Sequence, residues 1–175
     1  MKTPLTILTD SGTLNWGTLL VGFDQGMVTN VDAISFAIDW LVKHPEEANE
    51  AIVGLAAAND ASDQTIRSLI ANAAESKSSF TDADDAAYRL ELDKWRYARL
   101  RCLRESALPV QTKLDELQRI HAEFGYPVDM AGCSKYGPSE YAVRQGFAIE
   151  QPDAPLAAME RVLDELETRL SIRPK

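Results

Sequence analysis

The chain has 175 residues, of which 45% are hydrophobic, so it is long enough and apolar enough to bury the core of one domain, and disorder is not expected. Its net charge is −9 and its isoelectric point is about 4.7, which argues against nucleic acid as a direct partner because phosphate binding needs a basic surface. No apolar run approaches the length that crosses a bilayer, so the sequence predicts no membrane partner.

The first predicted elements are an N-terminal arm and one helix. Residues 1–12 are interpreted as an irregular or short extended arm, which its apolar residues attach to the core. Thr13 or Asn15 is placed to cap a helix that ends before Gly26. Asn30 is then placed to cap a second helix.

That second helix carries the clearest apolar stripe of the N-terminal half. A spacing of i, i+3, i+7, i+10 and i+11 is typical of one helical face, and the residues that show it are Val31, Ile34, Ile38, Leu41 and Val42. Phe36 and Trp40 widen the apolar face. The sequence therefore predicts that this stripe is buried and that the helix is central to the core.

Proline and polar residues set the later boundaries. Pro45 suits the first turn of a third helix, and a fourth helix follows a polar cap. The polar segment 76–80 is the best candidate for a hinge, although composition does not change there as it would at a domain boundary. Thr81 caps a long helix, and Pro109 starts the next one.

The helical patterns favour an all-α fold, since no convincing strand pattern appears. We expect residues 1–175 to form a single globular multi-helix domain of about seven helices. An α-solenoid-like packing is the alternative, because short helices follow one another in pairs between residues 13 and 78. No repeat of fixed period is visible, which favours the globular arrangement.

Glycine, proline and aromatic residues crowd into one loop in the C-terminal half. Gly125 is placed to end the preceding helix in the left-handed conformation, and Pro127 favours an extended Tyr126. Tyr126 and Tyr136 then lie on a loop at the edge of a helical core, where binding residues are common. Both tyrosines are predicted to contact a partner.

An acidic cluster of Asp82, Asp84 and Asp85 precedes the long helix. One interpretation is a divalent-metal site or a clamp for the basic residues of a partner. The other is that the helix dipole favours carboxylates at an N-terminus. A calcium loop needs a fixed ligand register with a glycine turn, which this sequence lacks, so no metal site is predicted. The three aspartates are retained as predicted partner-binding residues.

The sequence shows no catalytic constellation and no cofactor-binding motif. His121 falls on the apolar stripe of its helix, which favours a packed core histidine over a general base. Cys102 and Cys133 lie among apolar or small residues, so inert reduced thiols are expected. We therefore predict a binding protein and not an enzyme, with no catalytic residues, no cofactor and no metal.

Several short motifs resemble an uncharacterised bacterial family, domain of unknown function 2247. They are Asn15-Trp16, Lys94-Trp95-Arg96-Tyr97, Phe124-Gly-Tyr-Pro127, Asp129-Met130, and Tyr136 with Pro138. Their order and spacing along the chain carry the resemblance. The chain departs from the pattern at Tyr136-Gly-Pro138, where an apolar residue is expected between Tyr and Pro.

Proteins similar to this family are encoded beside polymorphic toxins in bacteria, so the resemblance implies an immunity protein that neutralises a cognate toxin domain. The acidic composition fits a basic target such as a nuclease domain, and occlusion of the toxin's active site is the expected mechanism. The alternatives are a non-catalytic regulatory or scaffold module and, less favoured, a metal-dependent hydrolase that uses the acidic cluster. The N-terminus shows no export signal, so a cytoplasmic location is expected.

Overall fold

The computed structural model describes residues 2–77, 85–134 and 155–172, and these ranges are helical without any strand. This confirms the all-α prediction. The described α-helices are α1 Pro4–Ser11, α2 Trp16–Asp24, α3 Asn30–Lys43, α4 Glu50–Ala56, α5 Asp63–Lys77, α6 Asp85–Glu105, α7 Val110–Glu123 and α8 Pro155–Arg169. Two short 3-10 helices, Pro45–Glu47 and Val128–Cys133, complete the described elements. None of the helices in these ranges is both long and apolar enough to cross a membrane.

The N-terminal segment forms helix α1, so the prediction of an irregular or extended arm over residues 1–12 is wrong. The Oγ1 of Thr3 accepts the backbone N–H of Thr6 at 3.2 Å, and Pro4 occupies the first turn, where a missing N–H removes no helical bond. Ile7 and Leu8 are buried. A helix of two turns depends on such tertiary packing more than on its own sequence, which is why the pattern did not reveal it.

The chain divides into two compact units, which are described separately. The central unit is Gly12–Trp95, and the terminal unit combines Met1–Ser11 with Arg96–Lys175. The division therefore falls within the sequence of α6. The hinge predicted near residues 76–80 stays a prediction, because residues 78–80 lie outside the described residues.

In the central unit, α2 packs on α5, and α4 packs on both α3 and α5. The helix starts are fixed by capping boxes. Before α2, the side chain of Asn15 accepts the Thr18 N–H at 2.8 Å, while the Thr18 hydroxyl accepts the Asn15 N–H at 3.4 Å. The largest fully buried side chains of this unit are Trp16, Leu19, Ile52, Leu55, Ile66, Ile70 and Trp95.

A buried ion pair ties α2 to the first part of α6. The Nζ of Lys94 donates to both carboxylate oxygens of Glu91, at 2.9 and 2.7 Å, and the hydroxyl of Thr18 donates to the same carboxylate at 2.5 Å. The indole N–H of Trp95 donates to the Thr18 carbonyl at 2.8 Å. Because Thr18 also belongs to the capping box, one residue connects the start of α2 to α6.

In the terminal unit, the 3-10 helix Val128–Cys133 packs against α7 and α8. Arg101 of α6 donates to Glu167 of α8 at 3.0 Å, and the Tyr97 hydroxyl bonds to the same carboxylate at 3.2 Å. The largest fully buried side chains of this unit are Leu8, Leu100, Leu117, Met130 and Leu163.

Candidate functional site

The candidate site is one face of α3, and both ends of this helix are fixed by local hydrogen bonds. The Thr29 side chain accepts the Asp32 N–H at 3.2 Å, and the Asp32 carboxylate accepts the Thr29 N–H at 3.0 Å. At the other end the His44 N–H donates to the Trp40 carbonyl at 2.8 Å, and Pro45 follows. The sequence had placed the cap one residue later, at position 30.

The buried side of α3 is made of alanines and aromatic rings. Ala33 and Ala37, one turn apart, have no exposed surface. Phe36 and Trp40 meet the buried ring of Trp16 edge-on, with ring centroids 4.9 and 5.5 Å away. Small side chains let the helix approach its neighbours closely, and the rings fill the remaining space.

The apolar stripe that the sequence predicted to be buried is largely exposed. Val31 is 72% exposed, Ile38 47% and Val42 76%. At about 100° of rotation per residue, these three side chains lie within about 40° of one another, on the opposite side of the helix from Ala33 and Trp40. The prediction was right about the helix and wrong about which side packs, because the alanine and tryptophan side makes the tertiary contacts.

We call Val31, Ile38 and Val42 the α3 face. Ile34 and Leu41 are half-buried and lie between this face and the buried side. Single exposed aliphatic side chains are ordinary on protein surfaces, but these three follow the spacing of one helical stripe and form an apolar strip that the exposed Ser35 interrupts. Such a strip suits the apolar surface of a partner protein.

Acidic residues surround the α3 face. Between residues 30 and 53 the chain carries Lys43 as its one Lys or Arg, and the acids are Asp32, Asp39, Glu46, Glu47 and Glu50. Asp39, Glu46 and Glu50 are exposed. The apolar strip is therefore set in a negative surface, and a positively charged partner would be attracted to it.

The turn after α3 brings together an imidazole and two carboxylates. The donor atoms of His44, Glu46 and Glu47 lie within 4.8 Å of one another. The Trp40 indole N–H donates to Glu47 at 3.2 Å. The centroids of the Trp40 and His44 rings lie 4.7 Å apart. Among the described residues this is the group with the ligand types of a divalent-metal site, but His44 and Glu46 are open to water, and the same carboxylates suit a lysine or arginine of a partner.

The structure places one of the five predicted partner-binding side chains. Tyr126 is 61% exposed, and its partner-binding role stays a prediction. Asp82, Asp84 and Tyr136 lie outside the described residues, and Asp85 is described only as the first residue of α6.

The backbone of Tyr126 differs from the extended conformation that Pro127 favours. Its φ is +57°, next to Gly125 at +73°. The Gly125 N–H donates to the Ala122 carbonyl at 3.0 Å and the Tyr126 N–H to the His121 carbonyl at 2.8 Å, so both residues close the end of α7. These bonds and the edge-on contact between the Tyr126 and His121 rings, 5.2 Å apart, offset the strain of a left-handed tyrosine.

Buried polar residues lie beneath the surface loop that follows α7. Arg96, itself buried, donates to both carboxylate oxygens of Asp129 at 2.7 and 2.8 Å. His121 is also buried, as its position on the apolar stripe predicted. Burial lowers the pKa of His121, although a hydrogen bond to the Pro127 backbone and the charge of Asp129 act in the opposite direction. The imidazole is therefore neutral in the folded protein at neutral pH.

The motifs that carry the family resemblance meet one another within each unit. In the central unit Trp95 bonds to Thr18, in the helix that Asn15 caps. In the terminal unit Arg96 bonds to Asp129. Trp95 and Arg96 thus secure helix contacts within their units.

The fold and the site thus define an all-α protein that exposes an apolar, acid-flanked helix face. The chain belongs to the family described as "Uncharacterized protein conserved in bacteria (DUF2247)", whose family model matches residues 6–172. This confirms the resemblance seen in the short motifs. Comparison with curated proteins gave no match, and comparison with solved structures gave none.

Proposed function

We propose that this protein is an immunity protein that binds a cognate toxin domain in the bacterial cytoplasm and neutralises it by covering its active site. The exposed apolar stripe of α3 is the observation that carries the proposal, since a docking surface is the first requirement of such a role. The toxin as the partner comes from what the family resemblance implies.

The α3 face is large enough to anchor a partner. Fully burying a Val or Ile side chain contributes about 1.5–3 kcal/mol, and Val31 and Val42 each have about three-quarters of their surface left to bury. Together with half of Ile38, the face offers about 3–6 kcal/mol if a partner buries it completely. That is a factor of about a hundred to ten thousand in affinity, the scale on which a few central side chains dominate an interface.

The charge around the face favours a basic partner. Domains that bind nucleic acid present Lys and Arg to phosphates, so a nuclease toxin would complement Asp39, Glu46 and Glu50. Opposite charges speed association and make it sensitive to salt. A second copy of this chain is a poorer occupant, because the same acidic residues would face one another.

A regulatory or scaffold module is the alternative, and it would use the same face. The two functions differ in consequence: an immunity protein restores growth to cells that produce the toxin, and a scaffold does not. A metal-dependent hydrolase is the less favoured alternative, and it depends on Asp82 and Asp84, which lie outside the described residues.

The test is co-production with a candidate toxin domain encoded by a neighbouring gene. Serine replaces valine at positions 31 and 42 together, because Ser and Val have similar helix propensities and the helix is preserved. Val110→Ser is the matched control, since Val110 is 65% exposed at the start of α7. We expect the unchanged protein and the control to restore growth, and the Val31/Val42 double variant to bind at least about tenfold more weakly.

Two results would overturn the proposal in different ways. Full protection by the double variant would show that the α3 face is not the docking surface. A lack of both binding and protection by the unchanged protein would remove the immunity role and leave the scaffold alternative.

A further inference from the structure

The terminal unit contains a cavity of about 410 Å³. Its walls come from the start of α1, the last turns of α6 and the second half of α7. Pro4, Leu103, Leu108 and Ile120 supply an apolar lining. The volume is within the range of small-molecule sites, which are mostly apolar with a few polar groups that orient the ligand.

Three cationic side chains also line this cavity. They are Lys2, Arg99 and Arg119, and the lining contains one acidic residue, Glu116. Arg119 donates to Glu116 at 2.6 Å, so that carboxylate is already compensated. Lys2 pairs with Asp10 at 2.7 Å and Arg99 with Glu123 at 2.9 Å, but neither carboxylate belongs to the lining. The lining residues themselves therefore carry more positive than negative charge, in a chain that is acidic as a whole.

Arg99 has a buried donor without an acceptor. Its Nη2 donates to Glu123 at 2.9 Å, but its Nε is buried and has no hydrogen-bond partner among the described residues. Buried N–H groups without a partner are rare in proteins, and a guanidinium most often satisfies them with a carboxylate. Arg99 lines the cavity, so guanidinium N–H groups that face the cavity can donate to an acceptor brought by a ligand.

We propose that this cavity binds a small monocarboxylic acid with an apolar body. The carboxylate accepts from Arg99, with Lys2 and Arg119 adding positive charge, and the apolar body contacts Leu103, Leu108 and Ile120. A neutral apolar molecule would leave the Arg99 donor unpaired, and a small polar anion would leave the apolar lining uncovered. The site lies in the terminal unit and does not depend on the function proposed for the α3 face.

Cys102 provides a built-in probe of the cavity. Its thiol lies in the lining and donates to the Lys2 carbonyl at 3.3 Å, and burial raises its pKa. The only other cysteine, Cys133, is fully buried and burial raises its pKa to about 12. Alkylation of the folded protein at mildly alkaline pH therefore reports on Cys102, and mass spectrometry distinguishes the two sites.

The experiment measures the rate of Cys102 alkylation by iodoacetamide with increasing octanoate, and the heat of octanoate binding by calorimetry. 1-Octanol is the matched ligand without a charge. Octanoate is expected to slow alkylation and to bind at least about tenfold more tightly than octanol, because the uncharged hydroxyl of octanol accepts a weaker hydrogen bond from a cationic side chain than a carboxylate does. Equal binding of the two would refute the role of the cationic side chains.

Variants of α6 test the role of Arg99. Arg99→Gln is expected to weaken octanoate binding at least about tenfold. Arg104→Gln is the matched control, since Arg104 lies on the same helix, pairs with Glu160 and does not line the cavity. If Arg99→Gln does not fold, Leu108→Trp fills the cavity from a partly exposed position and is expected to abolish the binding heat. The proposal is overturned if the Leu108→Trp variant still binds octanoate. It is also overturned if the unchanged protein does not bind octanoate at millimolar concentration.

Discussion

Replacing Lys94 with methionine tests the buried ion pair of the central unit. Methionine keeps the length of the side chain and removes its charge. Lys94 makes both of its short bonds to Glu91, and each side chain is about one-tenth exposed. In the variant the Glu91 carboxylate keeps its hydrogen bond from the Thr18 hydroxyl and loses its counter-charge.

The expected loss follows from that burial. Removing one member of a buried ion pair leaves an uncompensated charge, which costs about 3–5 kcal/mol. A whole domain is stable by about 5–15 kcal/mol, so the variant would lose a large part of its stability. Replacing Glu91 with leucine as well should recover most of the loss, since the pair is then exchanged for apolar side chains of similar volume.

Urea unfolding at neutral pH, followed by circular dichroism, measures the two single variants and the double variant. Arg119→Met is the control, because its pair with Glu116 is more than half exposed on the arginine side and should contribute at most about 1 kcal/mol. A Lys94→Met loss below about 1 kcal/mol would show that water reaches the pair and would refute the reasoning. A double variant as unstable as the single one would attribute the loss to packing and not to charge.

Three further predictions follow from burial. Gly22→Ala should cost at least about 2 kcal/mol in urea unfolding, because the new Cβ would lie within 3 Å of the buried Trp95 indole; an unchanged midpoint would mean that the ring moves aside freely. Burial lowers the pKa of His121 below 6.5, so the unfolded chain binds a proton that the folded chain does not. The stability that this difference contributes is present above pH 6.5 and is lost as the pH falls below it. His121→Gln should therefore flatten the dependence of the unfolding free energy on pH in that range. The same slope in the variant and the unchanged protein would contradict the assignment. Val42→Ser should change the unfolding free energy by less than about 0.5 kcal/mol, since the side chain is exposed, and a larger loss would show that the α3 face is covered in solution.

Local chemistry made several helix ends predictable. Asn15 caps α2, Pro45 follows the end of α3, and Gly125 adopts the left-handed conformation after α7, as their residue types indicated. These features depend on hydrogen bonds and torsion angles within a few residues, so the sequence carries them directly. Tyr126 shows the limit, because bonds back to α7 prevailed over the preference imposed by Pro127.

The periodicity of the sequence does not identify the α3 face as a candidate site, although it identifies the residues that form it. Helix α3 is apolar on two sides, one with Ala33 and Trp40 and the other with Val31, Ile38 and Val42. The regular spacing of the larger aliphatic side chains favours their side as the buried stripe. A helix with two apolar sides is itself a signal that one of them faces something other than its own core, and this signal was available in the sequence.

The sequence by itself determined the all-α class, most helix ends and the acidic balance, because each depends on residue type and local spacing. Only the tertiary structure decided which side of α3 is buried, how Thr18, Glu91 and Lys94 meet, and where a cavity with Arg99 in its lining remains. These depend on contacts between residues far apart in the chain. Periodicity specifies that a face exists, whereas close packing against a particular neighbour determines whether that face is buried.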